Sequence, residues 1–179
     1  MKLKSIGFLT AATLLLAAGN ANANLLFDVY AGATAGFGGA TVSIDGHHTS
    51  DTAQSYGAVV GMDIPLVRAE LEYNYMTTGD LKMHAGMANA YLKMPTPLVQ
   101  PYLGAGIGMI FDGDAGHDVN VDTTMAYQGM LGLTFDIPVL PFKIDAEARA
   151  LYAADIFKVA NEKADAIQYE GRIKLRYIF

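Results

Sequence analysis

The segment IQYEGRIKLRYIF, residues 167–179, decides the fold because its side chains alternate between two kinds. One parity carries Ile167, Tyr169, Gly171, Ile173, Leu175, Tyr177 and Phe179. The other parity carries Gln168, Glu170, Arg172, Lys174 and Arg176. A period of two indicates a β-strand with one apolar face and one charged face. The sequence stops on an aromatic residue directly after this strand, so we expect its carboxyl end to be held in a sheet.

The same alternation recurs along the chain. It is found in segments 26–37, 53–64, 67–76, 83–94, 101–111, 124–137 and 142–152. The connections alternate between short and long, and the short ones contain proline. Each segment is close to the about 9–11 residues that a tilted membrane strand needs, and a closed barrel leaves no open edge in lipid. We therefore predict an all-β fold, an eight-stranded antiparallel up-and-down transmembrane β-barrel.

Three features indicate that the apolar face meets lipid and the polar face lines the interior. Aromatic residues of the apolar face gather in two bands, one near the short turns and one near the long connections, as membrane interfaces favour. The polar face is rich in glycine, which suits a narrow interior. Third, all four arginines share the polar face with the acids. Charges inside an eight-stranded barrel must pair, because little water reaches them. We predict an interior ion-pair network of Arg68, Glu70, Glu72, Asp145, Glu147, Arg149, Glu170, Arg172, Lys174 and Arg176.

The amino-terminal segment has the pattern of a cleaved secretory signal. Lys2 and Lys4 precede an apolar run over 6–18, and Ala21-Asn22-Ala23 supplies a site of small residues. The run is shorter than the about 20 residues of a membrane-spanning helix. We expect residues 1–23 to be removed and 24–179 to form the barrel. The chain has no cysteine, so no disulfide can form.

Two stretches carry a family resemblance. QPYLGAGIGM, residues 100–109, resembles the fifth strand of the OmpA transmembrane-domain and opacity-type surface proteins, and YIF, residues 177–179, resembles their ending. The resemblance implies an integral outer-membrane barrel with both termini periplasmic and the long loops extracellular. It also implies that Tyr177 and Phe179 signal to the barrel-assembly machinery. A periplasmic peptidoglycan-binding domain is not expected from this sequence.

The predicted long loops contain the residues that could support chemistry. The loop over 38–52 holds Ser43, Asp45, His47, His48, Ser50 and Asp51. Serine, histidine and acid together suit a hydrolase, although no motif joins them. The resemblance to outer-membrane barrels implies that such an enzyme would be a lipid A deacylase or acyltransferase. The loop over 112–122 is rich in aspartate and glycine but lacks the spacing of a calcium hand, so ordinary turn chemistry is favoured.

The function we expect is a structural or surface-interaction role for a barrel with a filled, non-porin interior, with the lipid-modifying enzyme as the alternative. No catalytic residue, cofactor or metal is predicted. The net charge of −6 argues against nucleic acid as a partner. The expected partners are outer-membrane lipids and lipopolysaccharide, whose phosphates an acidic loop rim could meet through divalent cations. We expect a monomer.

Overall fold

The computed structural model describes residues 27–44, 47–79, 81–114, 123–137, 139–159 and 162–179. In these residues eight strands follow one another along the chain. They are β1 (Asp28–Ile44), β2 (His47–Asp63), β3 (Val67–Thr78), β4 (Leu81–Lys93), β5 (Val99–Asp114), β6 (Thr124–Asp136), β7 (Phe142–Val159) and β8 (Glu162–Ile178). The predicted signal segment, 1–23, lies outside the described residues.

Every strand pairs antiparallel with its neighbours in the sequence, and β1 pairs with β8 to close the barrel. In the closing pair, Ala33 lies opposite Leu175 and Gly36 opposite Arg172. The backbone N–H of Phe179 donates to the carbonyl of Val29 at 3.0 Å, so both described ends meet at one rim. The prediction of an eight-stranded up-and-down barrel is confirmed.

Short turns join β2 to β3, β4 to β5 and β6 to β7 at the rim that holds both described ends. In the first turn, the N–H of Ile64 donates to the carbonyl of Val67 at 2.8 Å. Leu98 and Val139 have positive φ values of 67° and 80°, which are uncommon outside glycine. The proline-rich connections are therefore tight turns, as their sequences predict.

The predicted bounds of the long loops are wrong. The segment 38–52 is not an irregular loop, because β1 and β2 remain paired as far as Ile44 opposite His47. Likewise β7 and β8 pair as far as Val159 opposite Glu162, and β5 continues to Asp114. Backbone pairing extends these hairpins beyond the apolar belt, where small and polar residues no longer alternate. The sequence signal thus ends before the strands do.

The inward and outward faces follow the predicted parity. Along β3, exposed and buried residues alternate from Val67 to Met76. Arg68 is 0% exposed whereas Leu71 is 61% exposed. Asn89 and Tyr91 of β4 are buried, on the polar face where the sequence places them. Large apolar side chains point out of the barrel, and charged side chains fill it.

Interior glycines make room for large side chains. A Cβ built on Gly132 would lie 2.5 Å from Cζ and Oη of Tyr102, so this position accepts no side chain without a shift of the ring. On the outer face, a Cβ on Gly129 would meet nothing within 4 Å. The contrast supports the predicted role of glycine in a narrow interior.

The interior is not polar along its whole length. Toward the long hairpins it is filled by an apolar cluster of Met76, Met83, Ala85, Met87, Ile110, Ala126, Leu151 and Ala153. The expectation of an interior lined only by charges and glycine is therefore incomplete. The flexible methionine side chains fill this irregular space, so an apolar layer lies beside the charged layers.

Candidate functional site

The charged interior forms the candidate site, and strands β3, β7 and β8 supply it. The ten side chains named from the sequence are all buried, with exposed fractions of 5% or less. They comprise five cations and five acids, so the set is electrically balanced. Burial without such balance would be very costly in a medium that water does not reach.

Arg172 of β8 lies at the centre of the network. Its Nε donates to Oε1 of Glu147 at 2.9 Å, and its terminal nitrogens contact Glu72 and Glu147. Glu72 also accepts from the amides of Asn74 and Asn89, both at 2.7 Å. One guanidinium thus bridges acids of β3 and β7 across the barrel.

Lys174 pairs with Glu70 in the adjacent layer. Its Nζ lies 2.6 Å from Oε1 of Glu70. The same carboxylate accepts hydrogen bonds from the hydroxyls of Tyr30, at 2.7 Å, and Tyr91, at 2.9 Å. Because the ammonium and two phenols supply this carboxylate with hydrogen bonds, its charge is compensated without water.

Asp145 of β7 holds two arginines near the rim with the short turns. Arg176 donates to it from Nε and a terminal nitrogen, at 2.8 and 2.9 Å. Arg68 lies 3.1 Å from the same carboxylate, and its guanidinium carbon is 3.9 Å from the centre of the Tyr91 ring. Thr134 adds a hydroxyl donor at 2.6 Å. The arginines therefore combine ion pairing with cation–π contact.

Arg149 of β7 and Glu170 of β8 form the layer nearest the apolar cluster. A terminal nitrogen of Arg149 lies 2.6 Å from Oε1 of Glu170. The acid also accepts from Ser55 at 3.0 Å and from Gln168 at 2.8 Å. Ion pairs thus continue up to the methionine-rich cluster.

A second charged cluster, which the sequence reading missed, lies at the rim with the short turns. Lys143 is 3.1 Å from Asp136 and 3.9 Å from Asp63, and Lys93 also pairs with Asp63. Arg176 joins this cluster to the main network through a contact of 3.2 Å with Asp63. Parity alone could have found these residues, since each lies on the charged face of its strand.

The interior tyrosines and amides were also missed as members of the network. Tyr102 donates to Glu147 at 2.9 Å, and its ring packs edge to face against Tyr91 with centroids 5.5 Å apart. Gln128 donates to Asn89 at 2.7 Å and accepts from Arg149 at 3.2 Å. Their inward parity was the available signal, but which partner each would reach depends on how the barrel closes.

Aromatic rings cluster at both ends of the outer face. Near the short turns, the Tyr177 ring lies 5.2 Å from those of Phe142 and Phe179. Near the long hairpins, Tyr73 lies 6.5 Å from Phe111. The two levels agree with the predicted bands. The role of Tyr177 and Phe179 in assembly stays a prediction.

The candidate catalytic side chains in the first long hairpin lie outside the described part, except for Asp51. Its carboxylate accepts from the N–H of Thr52 at 2.7 Å, a local contact between a side chain and the neighbouring backbone. The side chains of the aspartate- and glycine-rich segment 112–122, for which turn chemistry is predicted, also lie outside the described ones. Among the side chains that the structure describes, no group of three or more His, Asp or Glu is arranged to hold a metal.

Within the same described ranges, no helix is long and apolar enough to cross a bilayer.

The fold and the interior define the class: a closed, eight-stranded barrel with an apolar outer face and an ion-paired, filled centre. Solved structures with this fold include Neisserial surface protein A, which matches with a TM-score of 0.65 and 22% identity over 84% of this chain and 97% of that one. The N-terminal barrel domain of Pseudomonas aeruginosa OprF matches with a TM-score of 0.55 and 13% identity, covering 82% and 97% of the two chains.

A third similar structure is the outer membrane enzyme PagL, with a TM-score of 0.57 and 12% identity over 82% of this chain and 97% of that one. At these identities the likeness establishes the shared fold and nothing finer. Neither the protein-family models nor the curated proteins gave a match to this sequence.

Proposed function

We propose that the protein is an integral outer-membrane barrel with a filled interior, serving a structural or surface-interaction role without forming a pore. The observation that carries the proposal is the combination of its two faces. Outward positions such as Leu103 and Leu131 are 62% exposed, whereas arginine, lysine and glutamate are buried and paired. A protein in water would have the opposite arrangement, because exposed apolar belts of this extent cause association.

The orientation follows from the same proposal. Both ends of the barrel domain, 24–179, and the short turns face the periplasm, and the long hairpins face outward, as in bacterial outer-membrane barrels generally. Residues 1–23 direct export and are removed. Tyr177 and Phe179 take part in recognition by the assembly machinery. Outer-membrane lipids and lipopolysaccharide surround the barrel, which acts as a monomer and has no nucleic-acid partner.

The filled interior supports the non-porin role. An ion that crosses would have to break the Arg172 contacts with Glu72 and Glu147 and then pass the cluster around Met76 and Met87. Each step removes compensation from a buried charge or places the ion in an apolar layer. We therefore expect the folded protein to leave planar bilayers electrically silent.

The test uses the full barrel. Cells are fractionated, and the outer-membrane fraction is examined for a band whose gel mobility changes on boiling. The purified folded protein is then added to planar bilayers, and the current is recorded under an applied voltage that the bare bilayer withstands. A heat-modifiable outer-membrane band without conductance is the expected result. A band in the soluble fraction would refute membrane residence, and large stable conductance would refute the filled interior.

The lipid-modifying alternative has its own test. Replacing His47 and His48 with alanine leaves the described barrel interior unchanged, so folding should persist. If the protein is not an enzyme, the acylation of lipid A, read by mass spectrometry, will be the same in cells with either form. A change that follows the two substitutions would favour the alternative.

A further inference from the structure

A cavity lies at the rim that holds the short turns and the first described residues. Its volume is about 570 Å³, and its apolar wall is formed by Phe27, Ile64, Pro65, Pro95 and Pro97. Phe27 and Asp28, with which the described chain begins, both line it. The cavity therefore lies beside the point where the chain enters the barrel.

The charged side chains at this rim include more acids than cations. Nζ of Lys143 lies 3.1 Å from Asp136 and 3.9 Å from both Asp28 and Asp63. Lys93 pairs with Asp63. Three carboxylates therefore share two ammonium groups. The arginine of β8 that also contacts Asp63 belongs to the balanced interior network, so the described part of this rim has one carboxylate in excess of its cations.

Asp28 is the acid of this rim with the weakest compensation. Its side chain is 46% exposed, and its distance of 3.9 Å from Lys143 is longer than that of Asp136 from the same ammonium. Asp63, in contrast, is 2% exposed and is held by Lys93. A positive group that entered the cavity would meet Asp28 beside an apolar wall. The cavity therefore suits a ligand that joins one cation to an apolar body.

The chain itself supplies such a group directly before the cavity. Removal of residues 1–23 leaves Asn24-Leu25-Leu26 joined to Phe27, with a free α-ammonium on Asn24. Three residues span at most about 10 Å, so this ammonium stays close to the cavity that Phe27 lines. The two leucines supply the apolar body. The length, charge and polarity of the segment therefore match the cavity.

We propose that residues 24–26 of the mature chain bind in this cavity, with the α-ammonium of Asn24 against the rim carboxylates and the leucines against the proline-rich wall. This inference rests on the proposed function, because it requires that residues 1–23 are removed at export. An uncleaved chain has a neutral amide at Asn24 and brings no charge to offset Asp28. Removal of the signal segment therefore completes the charge balance of the rim.

A tethered ammonium suits this rim better than a free cation does. A segment joined directly to the cavity wall has an effective concentration in the millimolar range, which a dissolved amine would have to exceed. A divalent metal would bring two charges to a cluster that is short of one. Among the described residues, moreover, no group of three His, Asp or Glu is arranged to hold a metal. The occupant is therefore the amino terminus of the same chain.

The first experiment treats the full mature barrel, folded in a non-ionic detergent, with a water-soluble carbodiimide. The reagent activates a carboxylate, an amine in contact with that carboxylate displaces it to form an amide, and the reagent leaves as a urea. Mass spectrometry of the digested protein identifies the joined residues. We expect a link between Asn24 and Asp136 of β6. A link between Lys143 and Asp136 is the internal control, because those groups are 3.1 Å apart.

The second experiment measures how fast a trace of an amine-acylating reagent modifies the α-amine. L25N combined with L26N makes the segment polar, and D28N removes the exposed acid. The matched controls are L66N, at an exposed leucine of the first short turn, and D51N, at the opposite end of the barrel. The α-amine should react about tenfold more slowly in the wild type and in both controls than in the first two variants, as one lost charge-assisted contact implies.

Equal acylation rates in all of these proteins would overturn the inference. The absence of a link from Asn24 to Asp136, in a sample where the link from Lys143 forms, would also overturn it. Intact mass and heat-dependent gel mobility are recorded for every protein, and if a variant does not fold, the wild-type link decides. The expected mass and mobility with a freely reactive α-amine refute the docking alone, whereas a mass that retains residues 1–23 refutes the proposed export as well.

Discussion

Replacing Arg172 with methionine tests the interior network most directly. The arginine is 2% exposed and contacts Glu72 and Glu147, so its removal leaves both carboxylates short of a partner while the side-chain volume is nearly kept. Removing one partner of a buried ion pair lowers the free energy of unfolding by about 3–5 kcal/mol, because the other partner remains as an uncompensated charge. We expect R172M to lower the free energy of unfolding by that amount, a large fraction of ordinary domain stability.

A second substitution separates charge from packing. Changing Glu147 to glutamine in the R172M background restores the balance of four cations and four acids among the ten network residues. The double variant should therefore be more stable than R172M by about 1–3 kcal/mol, the range seen for coupled neighbours. K82M serves as the matched control, since it removes a long cation from the exposed outer face and should change stability by less than about 0.5 kcal/mol.

Unfolding is followed by circular dichroism in urea, with the barrel in detergent without phosphate lipids. The chain has no tryptophan, so the usual fluorescence probe is absent. If R172M unfolds at the same urea concentration as the wild type, the contacts of Arg172 do not stabilise the barrel. If R172M with E147Q is less stable than R172M alone, charge balance is not the reason.

Three further predictions test the interior, the glycine positions and the outer face by the same unfolding measurement. G104A places a methyl group against the Tyr91 ring and should cost about 1–3 kcal/mol, whereas G129A, which meets open space, should not destabilise the fold; equal effects would contradict the packing argument. Y91F removes a hydroxyl that donates to Glu70 at 2.9 Å and should cost about 1–3 kcal/mol; no loss would mean that this acid is compensated without it. L131R should cost about 2–4 kcal/mol for a barrel folded in vesicles, and no cost there would contradict a lipid-facing position.

The sequence alone was enough for the strand count and for the parity that places ten charged residues on the inward face. The reason is physical: in a strand the side-chain period is two, so one well-marked segment such as β8 shows which residues share a face. Arg68 and Arg176 could be assigned to the interior because burial in lipid is costly for arginine. Their partners could not be assigned. Arg172 and Glu72 are 100 residues apart, and only closure of the barrel brings them together.

Two parts of the structure left no clear sequence signal. The first long hairpin extends through a stretch rich in glycine, alanine, serine and threonine, 38–52, where alternation between apolar and polar residues is weak. The apolar layer of the interior could not be predicted from the sequence for a different reason. Met76 has the same parity as Glu72, and Leu151 has the same parity as Arg149. The inward face was predicted to be polar along its whole length, whereas it changes from charged to apolar toward the long hairpins.

Arg172, Lys174 and Arg176 lie on a different strand from the acids that neutralise them. This placement has a consequence for how the barrel is assembled. These cations belong to the last strand made, and their partners are on β3 and β7. The β7 acids meet these cations within the β7–β8 pair, whereas Glu70 and Glu72 of β3 lack Lys174 and Arg172 until the first and last strands join. Closure of the barrel is therefore the step that neutralises these two acids, and we expect an unclosed sheet to be destabilised by them.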